Sequence, residues 1–399
     1  MISNTYSFFT IFLIFLRLGL TSFGGPAAHL GYFREEFVIR RQWFSDSSYA
    51  DLVALCQFLP GPASSQVGIA IGFYRSGYMG ALAAWVGFTL PSAIVLILFA
   101  VGLTYYDNSQ LAGVLEGLKI VAVAVAVVIQ ALWGMARSLC PDPPRITIMA
   151  FTACFVLLIP SIWGQVLAII ISGMIGLLVF KQNTVITHNS LPVSITTRAG
   201  WSWLAIFFSL LIGLPFLNVL FPNQIISLID AFYRAGSLVF GGGHVVLPLL
   251  QSEIVSTGWL NNDTFLAGYS LAQAVPGPLF TFAAFLGASM EGSFSNWVIG
   301  LICLLAIFIP SFLLVFGILP FWERMRNNTH MRAALYSINA AVVGILLAAL
   351  YQPIWTSSIY KSQNFCMALI ALIALMVWKL PPWFVVLAGG ILGGLLTYI

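Results

Sequence analysis

Long apolar runs alternate with short polar segments along the whole chain, and this pattern predicts its secondary structure. A helix needs about 20 apolar residues to cross the hydrocarbon core of a bilayer, and several runs reach that length. The runs are continuously apolar, whereas a membrane β-barrel would show short segments of alternating polarity. The pattern therefore predicts an all-α integral membrane protein with spans at 6–23, 79–104, 114–135, 146–160, 163–180, 201–220, 224–240, 295–319, 333–351, 363–378 and 383–398.

Two further apolar stretches, 50–75 and 264–290, are interrupted by Pro60-Gly61-Pro62 and by Pro276-Gly277-Pro278. Proline lacks a backbone donor and disfavours helix in the residue before it, so each motif ends one helical piece and begins another. Inside a bilayer such a break persists only where protein or a water-filled cavity satisfies the freed backbone groups. We therefore expect about 11 to 13 membrane segments, including broken or re-entrant helices at the two motifs.

Composition supports the membrane assignment, because 60% of the 399 residues are hydrophobic and only 7% are charged. Such a chain is not soluble in water. The formal charge of +4 is modest, and nothing indicates a nucleic-acid partner. The five cysteines are odd in number and scattered, which predicts neither a disulfide framework nor a metal site. The first apolar run lacks the basic start and small-residue cleavage site of a signal peptide, so we expect a retained helix.

The second half of the chain repeats the first. Identities concentrate in Arg, Gly, Gln, Trp and Pro over some 45 residues, with a single shift of register, and chance does not readily produce this. The offset is 217 around the arginines (234 − 17) and 216 around the prolines (276 − 60). The matched residues are Arg17 and Arg234, Gly24 and Gly241, Gly25 and Gly242, Glu36 and Glu253, Gln57 and Gln273, and the two Pro-Gly-Pro motifs.

Basic residues indicate how the two copies are oriented. Three arginines, Arg34, Arg40 and Arg41, follow the first glycine motif, but the matching segment 250–262 has no Lys or Arg. Corresponding loops therefore face opposite sides of the membrane, as in an inverted repeat. The expected organisation is a first repeat over 1–181, a polar linker with an extra membrane helix over 182–222, and a second repeat over 223–399.

The helix breaks are the expected substrate site. A helix N-terminus presents open amides and the positive end of the macrodipole, which together attract anions. Hydroxyl groups follow both breaks, and glycine motifs elsewhere in each copy can offer further open amides. The alternative is that these glycines serve tight helix packing and the prolines only kink the chain. The residues concerned are Ser64, Ser65 and Thr281 after the breaks, and Gly24, Gly25, Gly241, Gly242, Gly243 and His244 in the glycine motifs.

Charged and amide side chains complete the predicted site. Arg17 and Arg234 fall near mid-depth of their helices, where a charge costs about 2.5–3.5 kcal/mol, so a functional role is expected over snorkelling or structural pairing. Two permanent positive charges favour a small dianionic oxyanion. Gln57 and Gln273 could donate amide hydrogens to the anion or bridge helices. Glu36 and its match Glu253 could carry a coupling proton, or form salt bridges at the loop edge.

At these motifs the sequence resembles the chromate ion transporter family, in its two-domain form. The signature regions run from Arg17 through Phe23-Gly-Gly-Pro26 to Pro62, and from Phe240-Gly-Gly-Gly-His244 to Pro278. The resemblance implies chromate export across a bacterial inner membrane, driven by the proton motive force, with sulfate as a structural analogue. The second copy departs from the first at Gly243, where the first has Pro26.

Alternative functions are a carrier or channel for sulfate or another oxyanion, and a membrane-embedded enzyme. No HExxH, CxxC, paired-Asp or Walker motif is present, so we expect no catalytic residue, no cofactor and no metal. The expected partners are the oxyanion, protons and the lipid bilayer, and a homodimer is compatible with the sequence. Alternating access by rocking of one repeat against the other is the expected mechanism.

Overall fold

The computed structural model describes residues 6–22, 25–105, 121–159, 162–180, 195–239, 246–290, 295–322, 325, 328–356, 359, 362–380, 384, 385 and 388. Within these ranges the regular structure is entirely helical, which confirms the all-α prediction. The first half contains α1 (Phe8–Thr21), α2 (Gly25–Arg34), a π-helical turn (Glu35–Arg40), α3 (Asp46–Phe58), α4 (Ala63–Tyr105), α5 (Val121–Leu139), α6 (Pro143–Leu158) and α7 (Ile162–Val179).

An additional helix, α8 (Thr197–Leu220), separates the halves. The second half contains α9 (Gln224–Leu238), α10 (Val246–Ile254), α11 (Asn262–Ala274), a 3-10 turn (Leu279–Thr281), α12 (Phe282–Ser289), α13 (Asn296–Ile318), a 3-10 turn (Leu319–Phe321), α14 (Thr329–Ala349), a π-helical turn (Leu350–Trp355) and α15 (Ser362–Met376). The segment 383–398, predicted to span, lies almost wholly outside the described residues, as does the start of the span predicted at 114–135.

Four of the described helices are long and apolar enough to cross a membrane by length and composition. They cover Ala63–Leu103, Thr197–Leu220, Asn296–Phe321 and Thr329–Gln352. Several other predicted spans appear as shorter apolar helices, among them Phe8–Thr21, Pro143–Leu158 and Asn364–Met376. The protein is therefore a multi-pass membrane protein in which full-length helices are combined with shorter ones.

Helix α4 is two helices joined at a sharp break. Ser76 and Gly77 leave helical geometry, and Gly77 has a positive φ of 61°. The chain then reverses, because Gly72 and Gly80 pack backbone to backbone, so closely that a Cβ on either would overlap the carbonyl oxygen of the other. We call the two pieces α4a (residues 63–75) and α4b (residues 78–105).

The interrupted stretch 50–75 therefore forms a helical hairpin of two arms, α3 and α4a, with Pro60-Gly61-Pro62 at its tip. Helix α3 has 13 residues and is about 20 Å long at 1.5 Å per residue, and α4a matches it. Neither arm alone crosses a hydrocarbon core of about 30 Å. The sequence left open whether this stretch crosses or folds back, and the structure shows two short arms that meet at the motif.

The second hairpin, α11 with α12, repeats the first in backbone detail. Ser45 and Asn261 cap the starts of the matching arms, each accepting the backbone N–H of the residue three positions later. The arms end in extended residues, and then Gly61 and Gly277 adopt φ values of +116° and +112°. Only glycine adopts such values without strain. The sequence repeat is thus a structural repeat.

Helices of the two halves are interleaved. Within each half the first helix packs on the long one, α1 on α4b and α9 on α13. Gly19 and Gly236 allow these close approaches, since a Cβ at either position would overlap a backbone carbonyl of the partner helix. Further along the chain the halves exchange partners: α5 packs on α15, and α14 packs on α6 and α7. The tips of the two hairpins are therefore held inside a core to which both halves contribute.

Helix α8 lies at the periphery of the described helices. It packs on α13 and α9, and the Tyr233 hydroxyl donates to the Phe207 carbonyl at 2.9 Å. Its outer face is apolar and exposed, with Ile212 71% and Val219 78% exposed. Such a face suits contact with lipid tails.

Candidate functional site

The tip of each hairpin is hydrogen-bonded to the other half of the protein. The Gly61 N–H donates to the carbonyl of Val239 at 2.5 Å, and the Gly277 N–H donates to the carbonyl of Ser22 at 3.0 Å. Val239 and Ser22 follow the last turns of α9 and α1, and they correspond to each other in the repeat. The two Pro-Gly-Pro motifs thus make reciprocal contacts, each with the end of the opposite first helix.

Both glycines lie in positions with no space for a side chain. A Cβ on Gly61 would lie 2.7 Å from Gln66 Nε2 and 3.1 Å from Ser311 Oγ. A Cβ on Gly277 would lie 2.7 Å from Ser92 Oγ. The polar side chains therefore approach the tips closely, and each tip is bordered by residues from both halves.

Side chains next to the two helix breaks donate hydrogen bonds to backbone carbonyls at the breaks. Gln66 Nε2 donates to the Pro60 carbonyl at 2.6 Å, and Thr281 Oγ1 donates to the Pro278 carbonyl at 2.6 Å. The hydroxyl proton of Thr281 is thus directed to the backbone in this structure. Gln66 was absent from the residues selected from the sequence because Phe282 occupies its position in the second copy. The fully buried position of Gln66 is visible only in the structure.

His29 connects the two tips. Its Nδ1 lies 3.4 Å from Ser64 Oγ, which follows the first motif, and its ring also contacts the backbone of Ser22, which binds the second motif. The ring of Phe88 packs edge-on against it, with centroids 5.3 Å apart. Since His29 is 1% exposed, this link is internal. It has no polar match in the second half, where Val246 stands at the 217 offset.

Several buried polar atoms near the tips have no hydrogen-bond partner within the described residues. They are Ser22 Oγ, His29 Nε2, Ser65 Oγ, Gln66 Oε1, Thr89 Oγ1 and Ser311 Oγ. Buried polar atoms are normally hydrogen-bonded, so such a group indicates where water or a polar ligand binds. The hydroxyls among them can donate to an oxyanion and no carboxylate is among them to repel it, whereas Gln66 Oε1 can only accept a hydrogen bond. The first amides of α4, which have no intrahelical acceptor, lie at the same place.

The remaining residues of the predicted site are distributed as follows. Gly24, Gly241, Gly242, Gly243 and His244 lie outside the described residues, and Gly25 begins α2. Gln57 is exposed, and Gln273 is half-buried with its side chain bonded to Tyr269. The structure therefore places Pro60, Gly61, Pro62, Ser64 and Ser65 with Pro276, Gly277, Pro278 and Thr281 around the tips, and the two glutamines away from that network.

Arg17 is exposed on the outer face of α1. The buried residues of α1, including Phe15 and Leu18, face α4b, and Arg17 points the other way among exposed Leu13 and Leu20. It forms no ion pair with the described part of the chain. The expectation of a buried arginine therefore does not hold for the first copy, because α1 has a single packed face and position 17 is not on it.

Arg234 is in a different environment from Arg17. Its side chain is 15% exposed, and Nη2 contacts Asp230 Oδ2 at 3.0 Å and Glu253 Oε1 at 2.8 Å. Both carboxylates are buried. Asp230 was missed by the comparison of the two copies because its match is Leu13, an apolar residue.

The two matched glutamates also differ. Glu36 binds the arginines that follow it in the chain, with Oε1 2.7 Å from Arg41 and Oε2 3.8 Å from Arg40. This is the salt bridge at the loop edge that the sequence offered as an alternative. Glu253 instead reaches across to Arg234 on α9. The two glutamates therefore form different ion pairs, although they occupy matched positions in the repeat.

The chain is similar to a family of known proteins and to individual relatives. The family model described as Chromate transporter matches the chain twice, at residues 9–177 and 226–394. These ranges contain the two hairpins, one in each match. No solved structure matches the chain.

Several relatives match over most of their length. An uncharacterized transporter of Methanocaldococcus jannaschii is 27% identical over 355 residues, covering 86% of this chain and 84% of that protein. A probable chromate transport protein of Synechococcus elongatus is 26% identical, covering 94% and 91%. A chromate transport protein of Cupriavidus metallidurans is 27% identical, covering 99% and 94%. With two family matches that together cover most of the chain, this protein belongs to the chromate transporter family and is a membrane transporter.

Proposed function

We propose that this protein exports chromate from the cytoplasm across a bacterial inner membrane, driven by the proton motive force. The observation that carries the proposal is the reciprocal bonding of the hairpin tips, Gly61 to Val239 and Gly277 to Ser22. A substrate site between two repeats is the common plan of secondary transporters. Relatives of similar length are named chromate transport proteins, which supports chromate as the substrate.

The substrate is bound at the tips of the hairpins. The donors there are the first amides of α4, the hydroxyls of Ser64 and Ser65, and the first amides after Pro278. A tetrahedral dianion accepts several hydrogen bonds at once, and charge-assisted hydrogen bonds are about twice as strong as neutral ones. Sulfate has the same charge and shape, so it competes for the same donors. The glycine motifs are further proposed contributors to anion binding, whereas Arg17 lies on the outer face of α1 and Arg234 is already paired with two carboxylates.

Alternating access follows from the way the tips are held. Within the described residues, each tip donates one backbone hydrogen bond to the opposite half, and the net contribution of such a bond is about 0.5–1.5 kcal/mol. Exchanging such a bond costs little, so the hairpins are the parts proposed to rock, while the helices packed across the halves, α5 on α15 and α14 on α6 and α7, stay together. The tips would then face one side of the membrane and afterwards the other.

Proton coupling requires a carboxylate that gains and loses a proton during the cycle. Glu36 and Glu253 are the two candidates from the repeat. Glu36 is neutralised by neighbouring arginines, whereas Glu253 shares one arginine with Asp230. The geometry therefore favours Glu253.

Uptake of labelled chromate into everted membrane vesicles tests the proposal. We expect uptake that depends on the proton gradient and is inhibited by excess sulfate. Ser64→Ala and Ser65→Ala should reduce it, since each removes a buried hydroxyl beside the first tip. Ser209→Ala, on the exposed surface of α8, is the matched control and should transport normally.

Two results would count against the proposal. If vesicles containing the protein take up no more chromate than empty ones, the chromate assignment is wrong. If labelled sulfate is accumulated and chromate only blocks it, the protein is a sulfate carrier that uses the same site.

A further inference from the structure

A buried ion cluster on α9 and α10 contains two carboxylates and one guanidinium. Asp230 Oδ2 and Glu253 Oε1 both contact Nη2 of Arg234, at 3.0 and 2.8 Å. The two oxygens therefore cannot lie further apart than the sum of these distances. Arg234 Nε is buried and has no hydrogen-bond partner within the described residues.

The charge of this cluster is not balanced. With both acids ionised the cluster carries one net negative charge, and an uncompensated charge in a buried position is costly. Two carboxylates at this separation also repel each other, and one proton bound to either acid removes both penalties. Side chains of Asp230, Arg234 and Glu253 are 6%, 15% and 11% exposed. The cluster is thus buried enough to favour the proton and open enough to exchange it.

Among the described residues, the helices packed on α9 bring no further cation to the cluster. The elements packed on α9 are α8, α10 and α13. Helix α13 has no acidic or basic residue, and its one thiol, Cys303, lies against Gly287 of α12. Helix α8 has only Arg198, at its start, and α10 has only Glu253. On α9 itself the Tyr233 hydroxyl is bonded to a carbonyl of α8.

Helix α10 also packs on α7, α11 and α14. Their charged groups are Asp263 on α11, and His330 and Arg332 on α14, with Arg332 Nη2 3.5 Å from the Tyr336 hydroxyl.

The matched positions of the first half, all among the described residues, form no equivalent cluster. Leu13 stands in place of Asp230, Arg17 is exposed, and Glu36 is bonded to Arg41. An inverted repeat can therefore carry the same anion-binding turn twice and a proton site once.

We propose that Asp230, Arg234 and Glu253 form a proton-binding site, not repeated at the matched positions of the first half, that couples proton movement to anion transport. The inference rests on the proposed function and adds Asp230 as a proton-binding residue. Arg234 lies five residues, about 7.5 Å, before Val239, whose carbonyl accepts the Gly61 N–H. A change of charge on the cluster therefore acts on the helix that holds the first hairpin tip.

The test uses the full-length protein in liposomes, with the membrane potential clamped at zero by potassium and valinomycin. In the first measurement the interior is one pH unit more acidic, and accumulation of labelled chromate is followed together with a trapped pH dye. In the second there is no pH difference, and labelled chromate outside exchanges with unlabelled chromate inside. Only the first measurement needs a proton to move.

Wild-type protein should accumulate chromate about tenfold for each coupled proton, because one pH unit corresponds to a factor of ten. Asp230→Asn and Glu253→Gln should lower the accumulation ratio to about one and abolish the dye signal, with exchange within about twofold of wild type. Glu253→Asp retains an acid and should keep coupling. Glu36→Gln, the change at the matched position, is the control and should accumulate chromate like wild type.

The inference is overturned if Asp230→Asn and Glu253→Gln still accumulate chromate like wild type. It is also overturned if both variants lose chromate exchange as well as accumulation although they are correctly folded, that is, monodisperse and with a wild-type Tm. The cluster would then serve substrate binding. If wild-type protein exchanges chromate but does not accumulate it in response to the pH difference, the proton site is wrong and chromate transport remains supported. Wild-type protein that does neither overturns the proposed function and this inference together.

Discussion

Replacing Gly277 by alanine tests whether the hairpin tips control transport. The φ of +112° is unfavourable for any L-residue with a side chain, at a cost of about 1–3 kcal/mol. The new Cβ would lie 2.7 Å from Ser92 Oγ, 3.2 Å from its Cβ and 3.3 Å from the Phe88 carbonyl oxygen. Overpacking of this kind costs about another 1–3 kcal/mol. The turn is therefore destabilised by about 2–6 kcal/mol in total.

The matching substitution Gly61→Ala should be milder, although its φ is similar. The nearest atom there is Nε2 of Gln66, the far end of a flexible side chain, which can move away. At Gly277 one of the close atoms is backbone, which cannot. Combining Gly277→Ala with Ser92→Ala removes the closest contact and should recover part of the loss.

Thermal unfolding in detergent and chromate uptake into everted vesicles measure the effect. Gly213→Ala on α8 is the control, because a Cβ there meets nothing within 4 Å and alanine favours helix by about 1 kcal/mol over glycine. We expect uptake and Tm to decrease in the order Gly213→Ala, Gly61→Ala, Gly277→Ala. If all three variants behave alike, the tips are not the constrained element that we describe.

Three further predictions concern the ion pairs and helix contacts. Arg234→Ala leaves two buried carboxylates without their cation and should cost about 3–5 kcal/mol, whereas Arg17→Ala should change stability by less than about 0.5 kcal/mol; unfolding curves of the two variants in detergent would refute this if they coincide. Gly236→Ala should cost about 1–3 kcal/mol, because its Cβ would overlap a backbone carbonyl of α13; a Tm equal to that of wild type would contradict the packing. Arg75 lies 4.6 Å from the ring centroid of Trp43 and donates to the Trp43 carbonyl. Arg75→Ala should therefore lower stability by about 1–3 kcal/mol. If an aqueous quencher quenches tryptophan fluorescence equally in the variant and in wild type, this contact has not loosened.

The class of the protein and its repeat were readable from the sequence. Apolar runs of bilayer-spanning length and few charges predict membrane helices, because the hydrocarbon core excludes unpaired backbone and isolated charges. The positions of both helix breaks also followed from the chain itself. Proline cannot continue the hydrogen-bond ladder, and Gly61 and Gly277 supply the positive φ that each tip requires.

Hydrogen bonds between residues far apart in the chain could not be predicted from the sequence. The bonds from Gly61 to Val239 and from Gly277 to Ser22 join residues some 180 and 255 positions apart, and local sequence carries no information about such contacts. They also depend on which hairpin meets which helix, a property of the interleaved core. Gln66 and Asp230 were missed for a related reason, since comparison of the copies selects only residues that occur in both.

The sequence by itself determined a helical membrane protein with two copies of one hairpin, because helix breaks, apolar length and glycine conformation are local properties of the chain. Only the tertiary structure decided that each hairpin tip is held by the other half, that Arg17 is exposed, and that Arg234 is shared by two buried acids. The physical reason is that burial and charge pairing depend on the face that each helix presents to its neighbours. Identical residues at matched positions can therefore have different environments once one neighbour, Leu13 or Asp230, differs.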